Sequence, residues 1–258
     1  MAKDIATARA GAKVLGIGGI DVRNVESLQK AVERCVQELG GIDYVMYITP
    51  QIKPHKLAIN KNSRSAGAAG NFLAPISQLS TNAFKSVMDI DVLGSYNTLK
   101  ATLPHLVKSA NSHKNDGKTP NPRGTGGRII FISATIHYTT LPLQTHVSVA
   151  KAGVDALSHS TAVEFGPRGV TSNVIAPGPI AGTEGMERLA RKDGSEQVKK
   201  RVPLGRYGTV KEIADATVYL FSDTGNFVSG QTLVGEPHDL HPFLPKYRFC
   251  LSWDIRAD

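Results

Sequence analysis

The sequence predicts an α/β fold, a three-layer, doubly wound parallel sheet. One stretch carries most of that reading. Arg128–Ser133 (RIIFIS) is a short, β-branched apolar run after a glycine pair, the pattern of a buried strand. Lys151–Phe165 reads as a helix with Val154, Leu157, Ala162 and Phe165 on its apolar face. Gly166-Pro167-Arg168-Gly169 stops it, and Val170–Ala176 is a second buried strand ending at Pro177-Gly178-Pro179. Strand, helix and strand within about 50 residues make a βαβ unit, whose ligand crevice lies beyond the carboxyl ends of the strands. Ser133, Lys151 and the Pro-Gly turn all fall at that edge, so chemistry is expected there.

The other elements follow in chain order. Lys13–Ile17 is a short strand candidate. The Gly16-Ile17-Gly18-Gly19 run after it opens no helix and lacks dinucleotide-loop spacing. Val25–Leu39 has Leu28, Ala31, Val32, Cys35, Val36 and Leu39 on one side, an amphipathic helix closed by Gly40-Gly41. Ile42–Val45 begins a strand. Residues 46–65, with two prolines, scattered lysines and no amphipathic period, read as an irregular insertion. Asn82–Leu106 is a long helix whose stripe is Phe84, Val87, Met88, Val92, Tyr96 and Leu99, preceded by the capping types Ser80, Thr81 and Asn82. Ser109–Gly126 is Gly/Pro/Asn-rich and reads as a loop. Lys211–Ser222 is a helix and Gly230–Val234 a final strand. Residues 1–234 are therefore read as one domain and 235–258 as an atypical tail.

Bulk properties narrow the class. A chain of 258 residues suits one α/β domain that buries roughly three quarters of its unfolded surface. Its 41% hydrophobic and 20% charged residues are an ordinary globular composition. No apolar run reaches the ~20 residues of a membrane span. The opening MAKDIATARAGAK has no apolar core of a secretory signal. Cys35 and Cys250 make no disulfide framework, and no Cys/His cluster has metal-ligand spacing, so no metal is expected. Half of the +8 net charge comes from Lys53, Lys56, Lys61 and Arg64, with no basic stripe interleaved with aromatics. That disfavours nucleic acid as a partner and suits a binder of phosphorylated ligands.

Four further motifs give the resemblance. A-A-G-N-F (Ala68–Phe72), N-A-F-K-x-V-M-D-I-D (Asn82–Asp91), I-S-A-T (Ile132–Thr135) and A-P-G-P-I-x-G-T-E-G (Ala176–Gly185) occur in this order. With strand-end Ser133 and the helix lysine Lys151, the chain resembles the short-chain dehydrogenase/reductases, and within them the peroxisomal 2,4-dienoyl-CoA reductases. The resemblance covers roughly residues 11–45 and 66–234. It implies a Rossmann-like sheet, NADPH as cofactor, a 2,4-dienoyl-CoA substrate reduced to a 3-enoyl-CoA in β-oxidation, and a peroxisomal location. It also implies pairing of subunits through the Asn82–Leu106 and Lys151–Phe165 helices, hence a homo-oligomer.

Residue by residue, the resemblance makes Lys151 the holder of the nicotinamide ribose and Asp91 a proton donor, directly or through water. A carboxylate on a mostly apolar helix face near a cleft should have its charged form disfavoured. Ser133 is expected to hydrogen-bond the thioester oxygen, with Tyr138 a second candidate donor and acid. Asp21 is placed near the adenine, with capping of the Val25 helix as the alternative. Ala69 and Gly70 lie along the cofactor ribose, and Pro177, Gly178, Pro179, Ile180 and Thr183 brace the nicotinamide. Arg23 and Arg188 are phosphate partners for CoA. Phe72 lies along the acyl chain or packs as a core aromatic, and Ser80, Thr81 and Asn82 lie against the substrate. His146 is read as a loop histidine orienting the turn and Ser148 as structural.

The chain also departs from the family pattern. Where most short-chain dehydrogenases carry a tyrosine, four residues before the lysine, it has Val147, which exchanges no proton. The first strands and glycine-rich turn are expected to be missing, the 46–65 insertion to split a central strand, and the tail to replace the family's ending. Intervening sequence retained from a transcript would account for the insertion and for the segment from Gly235. A catalytically inactive fragment that binds CoA or partners, and a reductase of another acyl or keto substrate, are the alternative functions.

Overall fold

The computed structural model describes residues 13–48, 72–114, 116–119, 121–183, 186 and 202–235. At its centre four parallel strands run in the order β1 (Tyr44–Tyr47), β2 (Arg128–Ile132), β3 (Thr171–Ala176), β4 (Thr232–Val234). In register, Tyr44 faces Arg128, Arg128 faces Thr171 and Val174 faces Thr232. Each crossover is helical. β1 leads through α2 (Thr81–Met88) and α3 (Gly94–Ser112) to β2, and β2 through α4 (Ile136–Thr139) and α5 (Thr145–Phe165) to β3. β3 leads through α6 (Val210–Phe221) to β4.

The side-chain period of two sorts the strands between faces. Ile129, Phe131, Val174 and Ala176 point to one side and pack with Leu99, Leu106, Val107 and Ala110 of α3 and Val154 of α5. Ile130 and Ile175 point to the other and meet Leu220, Ile213 and Ala216 of α6. Strands buried on both faces explain the unbroken apolar runs. The result is the three-layer, doubly wound sheet that the sequence predicts.

α1 (Val25–Leu39) lies against α3, with Leu28 buried. Its N-cap is Asn24, whose side chain accepts from the Ser27 N–H at 3.0 Å, and Gly40 closes it at φ 90°. Asp21 is therefore not the cap. Arg128 is buried at the start of β2, where its guanidinium donates to the Leu220 and Ser222 carbonyls, each at 2.8 Å. It thus places a cation on the orphan carbonyls at the end of α6, where the helix dipole favours one.

Several boundaries differ from the sequence reading. Lys13–Ile17 forms no strand. Met46 and Tyr47, read as the start of the insertion, complete β1, and Tyr47 is a core residue. The insertion from residue 49 to 65 and the tail from 236 to 258 lie outside the described residues. α3 runs on to Ser112 through Pro104, beyond the expected stop. The lysine helix begins at Thr145, so His146 and Val147 sit in its first turn rather than in a loop. Tertiary burial overrides the polar composition in both cases: Ser109 and His146 are buried.

Candidate active site at the carboxyl edge of the sheet

Asp91 occupies an unusual backbone. Between α2 and α3 the helix widens into a π turn over Asp89–Leu93. Such turns free backbone groups and present side chains at functional sites. The Tyr47 hydroxyl donates to the Ile90 carbonyl at 2.9 Å, and Ser95 Oγ donates to the Asp91 carbonyl. Gly94 lets the helix close on the sheet, since a Cβ there would lie 2.6 Å from Tyr47 Oη and 2.7 Å from Val22 Cγ2. Burial, reinforced by the Asp91 charge, pushes the Tyr47 phenol above its ordinary range.

Lys151 reaches this turn from α5. Its Nζ lies 3.5 Å from Asp91 Oδ2 and donates to the Ile132 carbonyl at 3.2 Å. Both side chains are deeply buried, at 10% and 3% exposure, so each charge is the other's partner. The sequence placed both residues in the site without foreseeing that they pair. The helix face that the sequence reads as mostly apolar around Asp91 thus also meets a cation from α5. Ser133, at the end of β2, donates its backbone N–H to Ile175 and its hydroxyl to the Lys151 carbonyl, at 2.8 and 3.4 Å. The βαβ geometry thus gathers Asp91, Lys151 and Ser133. Val147 is 8% exposed in the first turn of α5 and brings no proton.

Tyr138 is turned elsewhere. Its hydroxyl donates to Asp155 Oδ2, which also meets His137 Nε2 at 2.9 Å. Burial, with the Asp155 hydrogen bond and charge, pushes the Tyr138 phenol up to about 12. Its proton is committed to Asp155, which argues against a role as the catalytic acid. Burial works to raise the Asp155 carboxyl, but hydrogen bonds from His137 and Tyr138 and the His137 charge together hold it below its usual value. Asp155 and His137 escaped the sequence reading. The signal available was the i, i+4 spacing of Lys151 and Asp155, which puts both on one helix face.

The remaining predicted residues divide clearly. Pro177, Gly178, Pro179 and Ile180 form the turn leaving β3 and line a cavity of about 200 Å³ with Val202 and Leu233. The Pro177 carbonyl accepts the Thr135 N–H at 3.0 Å, joining this turn to the Ser133 edge. Thr183 Oγ1 donates to the Ile180 carbonyl at 2.9 Å. Ser80 caps α2 by accepting from the Ala83 N–H at 3.2 Å, with Thr81 and Asn82 in the exposed first turn. Phe72 stacks on His146, ring centroids 4.1 Å apart and planes 14° apart. Arg23 and Asp21, expected in separate roles, grip each other in a two-pronged ion pair with a shortest contact of 2.7 Å. That contact lowers the Asp21 carboxyl. Ala69, Gly70 and Arg188 lie outside the described residues.

The described residues fit the nicotinamide-ribose end of a dinucleotide: a buried ammonium, a strand-end hydroxyl and a close-packed Pro-Gly turn meet at the sheet's carboxyl edge.

Comparison with known proteins agrees with this geometry. Residues 2–236 match a family model described as enoyl-(acyl carrier protein) reductase. The chain is 45% identical over 221 residues to a peroxisomal 2,4-dienoyl-CoA reductase of Saccharomyces cerevisiae, covering 86% of this chain and 64% of that protein. It is 38% identical over 225 residues to the peroxisomal 2,4-dienoyl-CoA reductase of Arabidopsis thaliana, covering 87% and 66%. A probable 2,4-dienoyl-CoA reductase of Bacillus subtilis is 33% identical over 216 residues, covering 83% and 72%. The chain thus spans just under two thirds of the length of the yeast and plant relatives. The crystal structure of a short chain dehydrogenase from Bacillus anthracis superposes with a TM-score of 0.68 at 27% identity, covering 93% of this chain and 84% of that one. The chain belongs to the short-chain dehydrogenase/reductase family.

Proposed function

We propose that the protein is an NADPH-dependent oxidoreductase that reduces 2,4-dienoyl-CoA to 3-enoyl-CoA in the peroxisomal β-oxidation of unsaturated fatty acids. The observation that carries the reading is the buried Lys151–Asp91 pair, 3.5 Å apart beside a valine, at the carboxyl edge of the sheet. A site with an aspartate, and with Val147 where most short-chain dehydrogenases carry a tyrosine four residues before the lysine, is poorly suited to ordinary alcohol–ketone exchange. It suits protonation at carbon through a water that the carboxylate orients.

In this reading Lys151, Pro177, Gly178, Pro179, Ile180 and Thr183 hold the nicotinamide end of NADPH, and Ala69 and Gly70 lie along its ribose. When bound, NADPH supplies a hydride to the far end of the conjugated diene. Ser133 lends a hydrogen bond to the thioester oxygen, where the negative charge collects. Asp91, ionised beside the Lys151 ammonium, orients the water through which the proton reaches the α-carbon. Phe72 and the segment Ser80–Asn82 meet the acyl-CoA, with Arg23 and Arg188 toward its phosphates. The similarity to the yeast and plant peroxisomal 2,4-dienoyl-CoA reductases supports the substrate and the compartment.

The test is NADPH titration of the purified chain, then NADPH oxidation with a 2,4-dienoyl-CoA and product analysis. Turnover that falls by about 10²–10⁴ in Asp91→Asn supports the assignment. Binding of neither ligand, or turnover unaffected by Asp91→Asn, refutes it.

A further inference from the structure

The proposed mechanism leaves the buried imidazole of His146 unused. His146 is 0% exposed, and neither ring nitrogen has a hydrogen-bond partner. Gln144, two residues earlier and 2% exposed, has an unpartnered Oε1 as well. Buried polar atoms are normally satisfied, so the imidazole N–H, which has no acceptor, calls for one. The surroundings of the ring are held in place. Ala74 donates its N–H to the Leu143 carbonyl at 3.0 Å, and Gln144 Nε2 donates to the Phe72 carbonyl at 3.2 Å. These two bonds suture the 72–74 segment to the start of α5 and lay the Phe72 ring flat over the imidazole. Thr140 and Leu143 hold positive φ of 47° and 68° just before it, a backbone strain that non-glycine residues keep only under constraint.

We propose that His146, behind Phe72, receives the carbonyl oxygen of the bound acyl thioester, the imidazole N–H donating to that oxygen. This deepens the dienoyl-CoA reading and rests on it. The ring is suited to the task because burial disfavours its protonated form, while the Phe72 carbonyl and the Asp91 charge oppose that shift. A neutral imidazole always carries one N–H donor. The proton stays on the ring, so no transfer is involved. His146 precedes Val147 directly, and so puts a donor next to the position where the chain has no tyrosine. Phe72 is only partly buried, and the thioester gains access as the ring slides from the imidazole to the acyl chain.

The test uses the whole chain and a dienoyl-CoA without NADPH, so that no reaction runs. A donor on the thioester oxygen polarises the conjugated system, and the bound ligand's absorption moves to longer wavelength. In His146→Phe, which keeps the stacking and loses the donor, the shift is expected to vanish and turnover with NADPH to fall about 10²-fold. NADPH binding stays as in wild type, and His146→Gln recovers part of the shift. A role in packing alone predicts the reverse, with His146→Phe keeping both shift and turnover, and that result overturns the proposal. Should His146→Phe not fold, the ring N–H resonance of ¹⁵N-histidine wild type must move when the thioester is added; a resonance that stays put overturns it too. Wild type that binds no dienoyl-CoA defeats the substrate assignment and this inference together, which separates that failure from one confined to the variant.

Discussion

Replacing Asp155 by alanine removes the acceptor on which α4 is hung from α5. Two donors, His137 Nε2 and the Tyr138 hydroxyl, converge on Asp155 Oδ2 in a setting where the carboxylate is 8% exposed. Hydrogen bonds to a charged group contribute about 1.5–3 kcal/mol each. Against this, Asp155 Oδ1 is buried without a partner, a burden of about 1–3 kcal/mol that the variant sheds. The midpoints of these ranges leave a net loss of about 2.5 kcal/mol at neutral pH. Urea unfolding reads it as a lower midpoint at constant slope. The pH dependence has a fixed sign. The folded carboxyl sits below its unfolded value, so its stabilisation is complete above the unfolded pKa of about 3.9 and fades as pH falls through the folded one. Wild type and variant should therefore converge in acid. In the same variant the Tyr138 phenol should titrate below about 12, since the Asp155 hydrogen bond and charge are gone while burial persists. A loss under about 1 kcal/mol at neutral pH, or a gap that widens on acidification, would refute the reasoning.

Three other substitutions probe the frame. Gly127→Ala puts a Cβ 2.5 Å from Ala110 Cβ and 2.8 Å from the Leu106 carbonyl, at φ 69°; it should cost about 1–3 kcal/mol in chemical denaturation. Thr209→Ala opens the capping box that Thr209 and Glu212 form at the start of α6, and a loss of about 1 kcal/mol is expected by the same assay. Phe131→Ala empties a fully buried site at the middle of β2 and should cost about 3–5 kcal/mol, with a lowered thermal midpoint.

The parts of this structure legible in the sequence are those written as period. Val25–Leu39 matches its expected bounds because its apolar stripe and closing glycines agree. The βαβ unit was legible from the apolar run of β2, the apolar end of β3 and the glycine and proline stops between and after them. Helix ends that depend on tertiary contacts were not. Thr145–Ala150 carries no helical stripe, yet His146, Val147 and Ala150 are buried against neighbours. Strand β1 was cut short at Val45 because the polar hydroxyl of Tyr47 hid a core residue whose partner, the Ile90 carbonyl, is 43 positions away. Asp91, Lys151 and Ser133 were named from motif resemblance, but their mutual arrangement is a property of the crossover. Asp155 has no motif to announce it; its partners come from a four-residue helix that composition alone does not reveal.

The π turn at Asp89–Leu93 has a consequence for what this helix can lose. A π turn holds one residue more than the α-helical turn it replaces. Deleting a residue inside it would restore regular α-helix while leaving Val87 on one flank and Leu99 and Leu106 on the other close to their places in the core. The fold would survive, but the carboxylate would be carried off its lysine. Length variation at this one point therefore separates keeping the architecture from keeping the chemistry, so a chain in this lineage could abandon catalysis here by a single in-frame codon loss without first becoming unstable.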